Sequence, residues 1–210
     1  MYGRFYLKND KANIAKQFSV GNPLNSKTSY NITPSQNCTV VRLKKNESEL
    51  ANLSWGLVPS WAKSDVKIKP INAKAETIKE KPYFRSAYKK QRCIIPASGF
   101  YEWKGSKGNK QPYCIYPLND PCFGFAGLWE KRNELETFTI ITTAANELMS
   151  EVHHRMPVIL DSKDYDTWLK DGDYKSLKPC ASEEMGMHMV SSAVNKPSNN
   201  GAELITPVGL

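Results

Sequence analysis

Residues 99–116 read GFYEWKGSKGNKQPYCIY. The aromatic run Gly99–Trp103 favours a strand, because ring side chains pack well on a pleated surface. The stretch Gly105-Ser106-Lys107-Gly108-Asn109 is turn chemistry, and Pro112–Tyr116 returns as a second aromatic run. The passage is therefore a β-hairpin. Working outward, Cys93–Ile95 is a short apolar strand that stops at Pro96, and Phe123–Trp129 and Thr137–Thr143 pair across a turn at Arg132-Asn133. Val40–Leu43, Leu53–Val58, Met156–Leu160 and Met187–Ser191 add further strands. Helical signals are fewer. Asp10 can cap a helix through Phe18 with Ile14 and Phe18 on one face. Ile71–Gln91 holds helical material in which Pro82 suits a first turn and Phe84, Ala87 and Tyr88 follow at helical spacing. Ala144–Val152 is a short helix, and Ser162 caps another that carries Tyr165, Trp168 and Leu169. Gly21–Pro34, rich in Asn, Ser and Pro, is read as a loop, and Asn195–Leu210 as an extended tail. Hairpin spacings dominate, with no strand–helix–strand rhythm. The expected fold is α+β, a curved, mainly antiparallel, barrel-like sheet system with flanking short helices. One domain over 1–210 is expected, with the tail beginning near 195.

Apolar residues make up 40% of the chain and charged residues 24%, which excludes disorder and coiled coil as the main architecture. No apolar run has the length of a membrane span, and the charged, aromatic start MYGRFYLKND is not a signal peptide. A cytoplasmic protein without a membrane partner is expected. The five cysteines (Cys38, Cys93, Cys114, Cys122, Cys180) are odd in number and lack CxxC spacing, so reduced, mostly buried thiols are expected. His153 and His154 are adjacent and point to different faces, which makes them a poor clamp; no metal and no cofactor are expected. The charge is divided. Residues 1–110 hold 21 Lys and Arg against 7 Asp and Glu, and residues 111–210 hold 8 against 14. A cationic first half suggests a polyanionic partner, nucleic acid first among them.

Several residues could carry chemistry. Glu102 lies between Tyr101 and Trp103, where nearby rings would desolvate a carboxylate and fit it for acid–base work; a solvent-facing strand Glu is the plainer alternative. His153 and Arg155 precede Met156-Pro157, where a loop entering a strand can present a proton carrier and a phosphate clamp. Asn72 follows Pro70-Ile71, and a buried amide there can fix a backbone or a ligand. Trp55, Trp61 and Trp103 lie among cations, a composition that suits base stacking with backbone neutralisation, although a core role is the commoner one for any single Trp.

Together these residues fall in ordered motifs: Gly3-Arg4-Phe5, Tyr30–Pro34, Trp55–Trp61, Asn72-Ala73-Lys74-Ala75-Glu76-Thr77, Arg92–Ala97, Gly99–Trp103, Thr142–Asn146, His153–Val158 and Glu203-Leu204-Ile205. On these the whole chain resembles the SRAP family (SOS response-associated peptidases, the abasic-site processing proteins). The resemblance implies recognition of abasic sites in single-stranded DNA and their shielding as a covalent DNA–protein adduct. The family nucleophile is a cysteine directly after the initiator Met, whose amine and thiol condense with the open sugar aldehyde to a thiazolidine. By the same resemblance Asn72 would hold the N-terminal residue and the adduct, Glu102 would assist sugar-ring opening, and His153 would act as general acid and base. Arg4, Lys74 and Arg155 would hold phosphates, and Trp61 would stack near the lesion. The family usually has Arg where Lys74 stands; Lys keeps the charge and loses bidentate geometry.

Position 2, the place of the family nucleophile, is Tyr2. A phenol with a pKa near ~10 is a poor nucleophile at neutral pH and cannot form a thiazolidine. A bulky second residue also disfavours removal of Met1. Three readings stay open: a non-covalent abasic-site binder, an enzyme using the Met1 amine for an imine, or an altered member with an intact scaffold. Outside the lesion-specific class, a peptidase-like hydrolase and a plain single-stranded nucleic-acid binding module are the alternatives, with a monomer expected in each case.

Overall fold

The computed structural model describes residues 3–8, 11–21, 28–63, 66–106 and 108–209, with the backbone alone at 11 and 12. The strands are β1 (Phe5–Leu7), β2 (Ser29–Ile32), β3 (Asn37–Lys44), β4 (Glu47–Trp55), β5 (Asn72–Lys74), β6 (Arg92–Ala97), β7 (Gly99–Ser106), β8 (Asn109–Pro117), β9 (Phe123–Arg132), β10 (Leu135–Ala144), β11 (Arg155–Pro157), β12 (Ile159–Leu160) and β13 (Met185–Met189). The helices are α1 (Lys11–Gln17), α2 (Arg85–Lys90), α3 (Glu147–Ser150) and α4 (Tyr165–Asp171). None of them is long and apolar enough to cross a membrane.

One sheet closes on itself. Its strands run β10-β4-β3-β6-β9, and β9 pairs back to β10. Closure leaves no open edge within the ring, which removes the aggregation hazard of an edge strand. Alternation along β3, β4, β6, β9 and β10 fills the interior with Val40, Leu53, Trp55, Ile95, Phe125, Phe138 and Ile140, all at most 1% exposed. The second sheet, β13-β8-β7-β1-β2, packs Phe5 and Phe100 against Phe125 of the ring, edge to face at 5.9 and 6.0 Å. The α+β class and ring-like sheet system agree with the sequence reading, as do the hairpin of β7 and β8 and the pairing of β9 with β10.

Arg92, 9% exposed, ties two helices to the ring. Its guanidinium donates to the carbonyls of Tyr88 and Lys89 at the end of α2 and of Trp168, Leu169 and Lys170 at the end of α4, at 2.7–3.1 Å. Except for the Trp168 carbonyl, which also accepts from the Gly172 N–H, these lie among the last carbonyls of their helices, and all five guanidinium donors are used. Gly172 ends α4 at φ +69°, where its N–H returns to Thr167 and Trp168.

Several boundaries differ from the sequence reading. The expected loop over 21–34 contains β2, which pairs with β1. The expected helical span 71–91 begins as strand β5 and reaches a regular helix only at Arg85. β6 runs through Pro96; its pairing to β3 involves Cys93 and Ile94, so the missing proline N–H falls beyond that ladder. Ser162 opens a 3-10 turn and does not cap the next helix. The expected extended tail is docked: it carries 3-10 turns at Ser192–Asn195 and Ala202–Ile205, and Leu204 is buried with Tyr6, Tyr101 and Val194. Buried Asn31 holds this segment by donating to the carbonyls of Val194, Lys196 and Asn199 at 2.8–3.2 Å. The Asp10 cap lies outside the described residues.

Replacing Arg92 by Met keeps much of its volume, takes the guanidinium from the carbonyls of Tyr88, Lys89, Leu169 and Lys170, and leaves Trp168 only its bond from Gly172. Urea denaturation is expected to show a loss of about 3 kcal/mol, the scale for a charged hydrogen-bonding group removed from buried partners.

Candidate functional site

Both edges of β10 are occupied near its end. On one side β5 runs parallel to it, in the register Ile140↔Asn72, Ile141↔Ala73 and Thr142↔Lys74. On the other β11 runs antiparallel, with Thr142↔Pro157 and Ala144↔Arg155. Ala73 turns into the core, so the alternating Asn72 and Lys74 lie on the opposite face. The result is an open groove of about 550 Å³ lined by Asn72, Lys74, Thr142, His153, His154 and Arg155, with Ile68, Pro70, Lys81, Tyr83 and Phe84.

Arg155 is engaged within the protein. Its guanidinium makes a two-pronged ion pair with Glu76 at 2.5 and 3.0 Å and donates to the Thr142 carbonyl at 2.6 Å. That pairing holds the Glu76 carboxyl below its usual range, chiefly through the hydrogen bond from Arg155. The same residue supports His153. Its amide nitrogen lies 3.0 Å from Nδ1 and its carbonyl oxygen 3.2 Å. Nδ1 can thus accept from the amide in one tautomer and donate to the carbonyl in the other, leaving proton exchange to Nε2. The ring stacks on His154 at 4.3 Å. Burial lowers the His153 pKa from its ordinary 6.5, and the negative charge of Glu102 opposes that shift.

Glu102 is 4% exposed. Its Oε1 accepts from the Trp103 amide at 3.1 Å, and its Oε2 is buried with no hydrogen-bond partner among the described residues. It lines an adjoining groove of about 490 Å³ with Arg4, Trp103, Lys110 and Asn195. The start of the chain runs past it. β1 pairs with β7 in the register Phe5↔Phe100, and the Tyr101 amide donates to the Arg4 carbonyl at 3.0 Å. Continuing that register sets Gly3 opposite Glu102. The register needs glycine at position 99, where an added Cβ would sit 2.4 Å from the Tyr6 ring.

The structure therefore brings Asn72, Lys74, His153 and Arg155 to one groove and Arg4 and Glu102 to its neighbour, with Glu102 within electrostatic reach of His153. The Arg4 guanidinium is held by Asn31 Oδ1 and by the carbonyls of Val194 and Asn195. Trp61, 58% exposed, does not line the groove; it meets it through an edge-to-face contact with Tyr83 at 5.6 Å and heads a cationic shelf with Arg85, Lys89 and Lys90. Tyr2 lies outside the described residues. Of the thiols, Cys38, Cys114, Cys122 and Cys180 are pushed up to about 12 by burial, and Cys93, fully buried, is raised as well. Among the described residues no group of three or more His, Cys, Asp or Glu could hold a metal ion. Sequence reasoning missed Glu76, Lys81 and Tyr83. Glu76 stood in a quoted motif, and it reaches Arg155 from the 3-10 turn Ala75–Thr77 that follows β5.

A sequence model described as SOS response associated peptidase (SRAP) matches residues 1–197. The abasic site processing protein YoqW of Bacillus subtilis (strain 168) is 43% identical over 221 residues, covering 98% of this chain and 99% of that protein. The abasic site processing protein HMCES of Gallus gallus is 33% identical, and the match spans 87% of this chain and 67% of that one. A crystal structure of a protein from Bacteroides thetaiotaomicron superimposes with a TM-score of 0.87 at 27% identity, over 98% of this chain and 99% of that one.

His153 is expected to titrate below 6.5 when followed by NMR, and Glu102→Gln to lower the midpoint further, since the carboxylate favours the imidazolium. The sign for stability follows. The folded state binds this proton less readily than the unfolded chain, so the His153 contribution weakens as pH falls below 6.5 and levels off beneath the folded value. A midpoint at or above 6.5 would contradict the burial of this ring.

Proposed function

This chain belongs to the SOS response associated peptidase (SRAP) family, and on that premise we propose that it binds abasic sites in single-stranded DNA and acts on the exposed sugar. The observation that carries this reading is the convergence of Asn72, Lys74 and His153 on one groove, within electrostatic reach of a Glu102 whose Oε2 is buried and has no hydrogen-bond partner among the described residues. A sugar that has lost its base leaves room for protein groups at C1′. The Asn72 amide offers both a donor and an acceptor there. Glu102 takes the proton of the C1′ hydroxyl as the ring opens, and His153 exchanges one at Nε2. The ammonium groups of Lys74 and Lys81 face flanking phosphates, and Trp61 on its Tyr83 edge offers a ring for a neighbouring base. Arg4 and Arg155 act mainly by shaping the site, since their guanidinium groups are engaged within the protein. The chain acts as a monomer, in the cytoplasm and on the DNA it binds.

Tyr2 closes the thiazolidine route, because that ring needs the sulfur of a residue bearing a free amine. No other thiol substitutes, as each of the five is withdrawn from the grooves and held protonated by burial. The same withdrawal leaves a peptidase reading without a cysteine nucleophile.

A single strand carrying one tetrahydrofuran abasic analogue is expected to bind about tenfold tighter than the matched intact strand in fluorescence anisotropy, the scale of one or two well-placed polar contacts. Equal affinities would instead describe a general single-strand binder. Tyr2→Cys is expected to lose Met1 and to yield, with a true abasic strand, an adduct that survives a denaturing gel. Intact mass spectrometry reads both changes, and loss of Met1 from that variant without an adduct would place the defect elsewhere in the site.

A further inference from the structure

We propose that Lys74 is a nucleophilic amine that forms an imine with the open-chain sugar of an abasic site, giving this chain a strand-cleaving lyase activity. The inference rests on the reading of the groove given above. An aldehyde is captured by a neutral amine or a thiolate. No cysteine lines this groove, and guanidinium groups do not lose their proton, so lysine is the remaining side-chain class there. Lys74 ends the rigid strand β5, two residues beyond Asn72 and on the same face, with its side chain exposed. Across β10 its partner is Thr142, whose carbonyl and hydroxyl take the Arg155 guanidinium at 2.6 and 3.3 Å. Glu76 pairs with Arg155 and not with Lys74. Among the described residues no hydrogen bond or ion pair holds the Lys74 ammonium, and Glu76, which feels its charge, is pinned to Arg155, so the amine is released by loss of a proton alone. Lys81 lines the same groove from outside any strand or helix, just before Pro82, and is the less fixed of the two amines.

The chemistry balances without a further reagent. The Lys74 ammonium first gives a proton to water; the freed nitrogen lone pair adds to C1′ of the aldehyde as the carbonyl oxygen takes a proton, and loss of a nitrogen proton with water leaves a C1′=N bond. His153 Nε2, in the tautomer whose Nδ1–H donates to the Arg155 carbonyl, removes a C2′ proton. The C2′–H electron pair becomes the C2′=C3′ bond, the C3′–O bond breaks, and its pair leaves on the phosphate oxygen of the downstream strand. Water then hydrolyses the imine, returning the amine and an unsaturated aldehyde on the upstream strand.

The test uses the full chain, an abasic single strand and sodium cyanoborohydride, which reduces an imine to a stable amine. A denaturant-resistant adduct that peptide mapping assigns to Lys74 is expected. Lys74→Arg, which keeps the charge and cannot form the imine, is expected to lower the trapped yield at least about tenfold. An adduct on the chain's α-amine or on Lys81, or no adduct at all, overturns the proposal. If the tetrahydrofuran strand is still preferred over the intact strand in that case, the abasic-site reading survives. If it is not, both fall together.

Discussion

The double occupancy of β10 is the constraint on which the rest of the molecule depends. Its first half is held between β4 and β9 and so closes the ring. Its last residues are held between β5 and β11 and so gather the chemistry. A strand paired on both edges can neither slide nor tilt without breaking two ladders. Lys74 and Arg155, far apart in sequence, are therefore fixed on either side of Thr142 by main-chain hydrogen bonds. Apolar packing beneath, from Ala73, Ile141 and Met156, resists the one-residue slip that would turn every groove residue inward.

The cations divide by chemistry. Arg42, with Glu49 and Glu136 about it and the Trp129 ring 4.4 Å below, Arg92 on two helix ends, Arg155 on Glu76 and Arg4 on the C-terminal segment all serve as internal staples. A planar fork with five donors suits such fixed, multi-acceptor places, whereas a single flexible ammonium does not. Lys74, Lys81, Lys89, Lys90 and Lys110 remain on the walls of the grooves and the shelf. Arginines that look like phosphate clamps in the sequence thus build the site, and the lysines beside them are left to meet a ligand. Among the described residues Glu130 Oε1 and Glu102 Oε2 are both buried carboxylate oxygens without a hydrogen-bond partner, and Glu102 is the one that borders a groove. A buried acceptor without a donor is costly, and its persistence beside the start of the chain fits a group that receives a proton in turnover.

Local pattern reached the hairpin of β7 and β8, the β9–β10 pair and the helix of Tyr165, Trp168 and Leu169, because each is specified by neighbours in sequence. It failed at β2 and β5. Both are short, polar stretches whose hydrogen bonds go to remote partners: Asn31 to the C-terminal segment, and Asn72–Lys74 to β10. No periodicity announces a strand of three residues held entirely by nonlocal pairing. The docking of the last residues escaped for a similar reason. A Pro- and Asn-rich segment reads as solvated until a buried amide such as Asn31 is found to satisfy its carbonyls.

What the sequence determined by itself is the inventory: the sheet-rich class, the cationic first half, the ordered motifs with Asn72, Glu102 and His153, and the absence of cysteine at position 2. These depend on residue types and short spacings, which the chain carries whether folded or not. Only the tertiary structure decided how those residues are used: which cations are spent on internal acceptors, which face of β5 meets the groove, and that Glu102 and His153 sense each other across two sheets. Ring closure sets those relations, because a contact between remote strands is fixed by the register of every ladder between them.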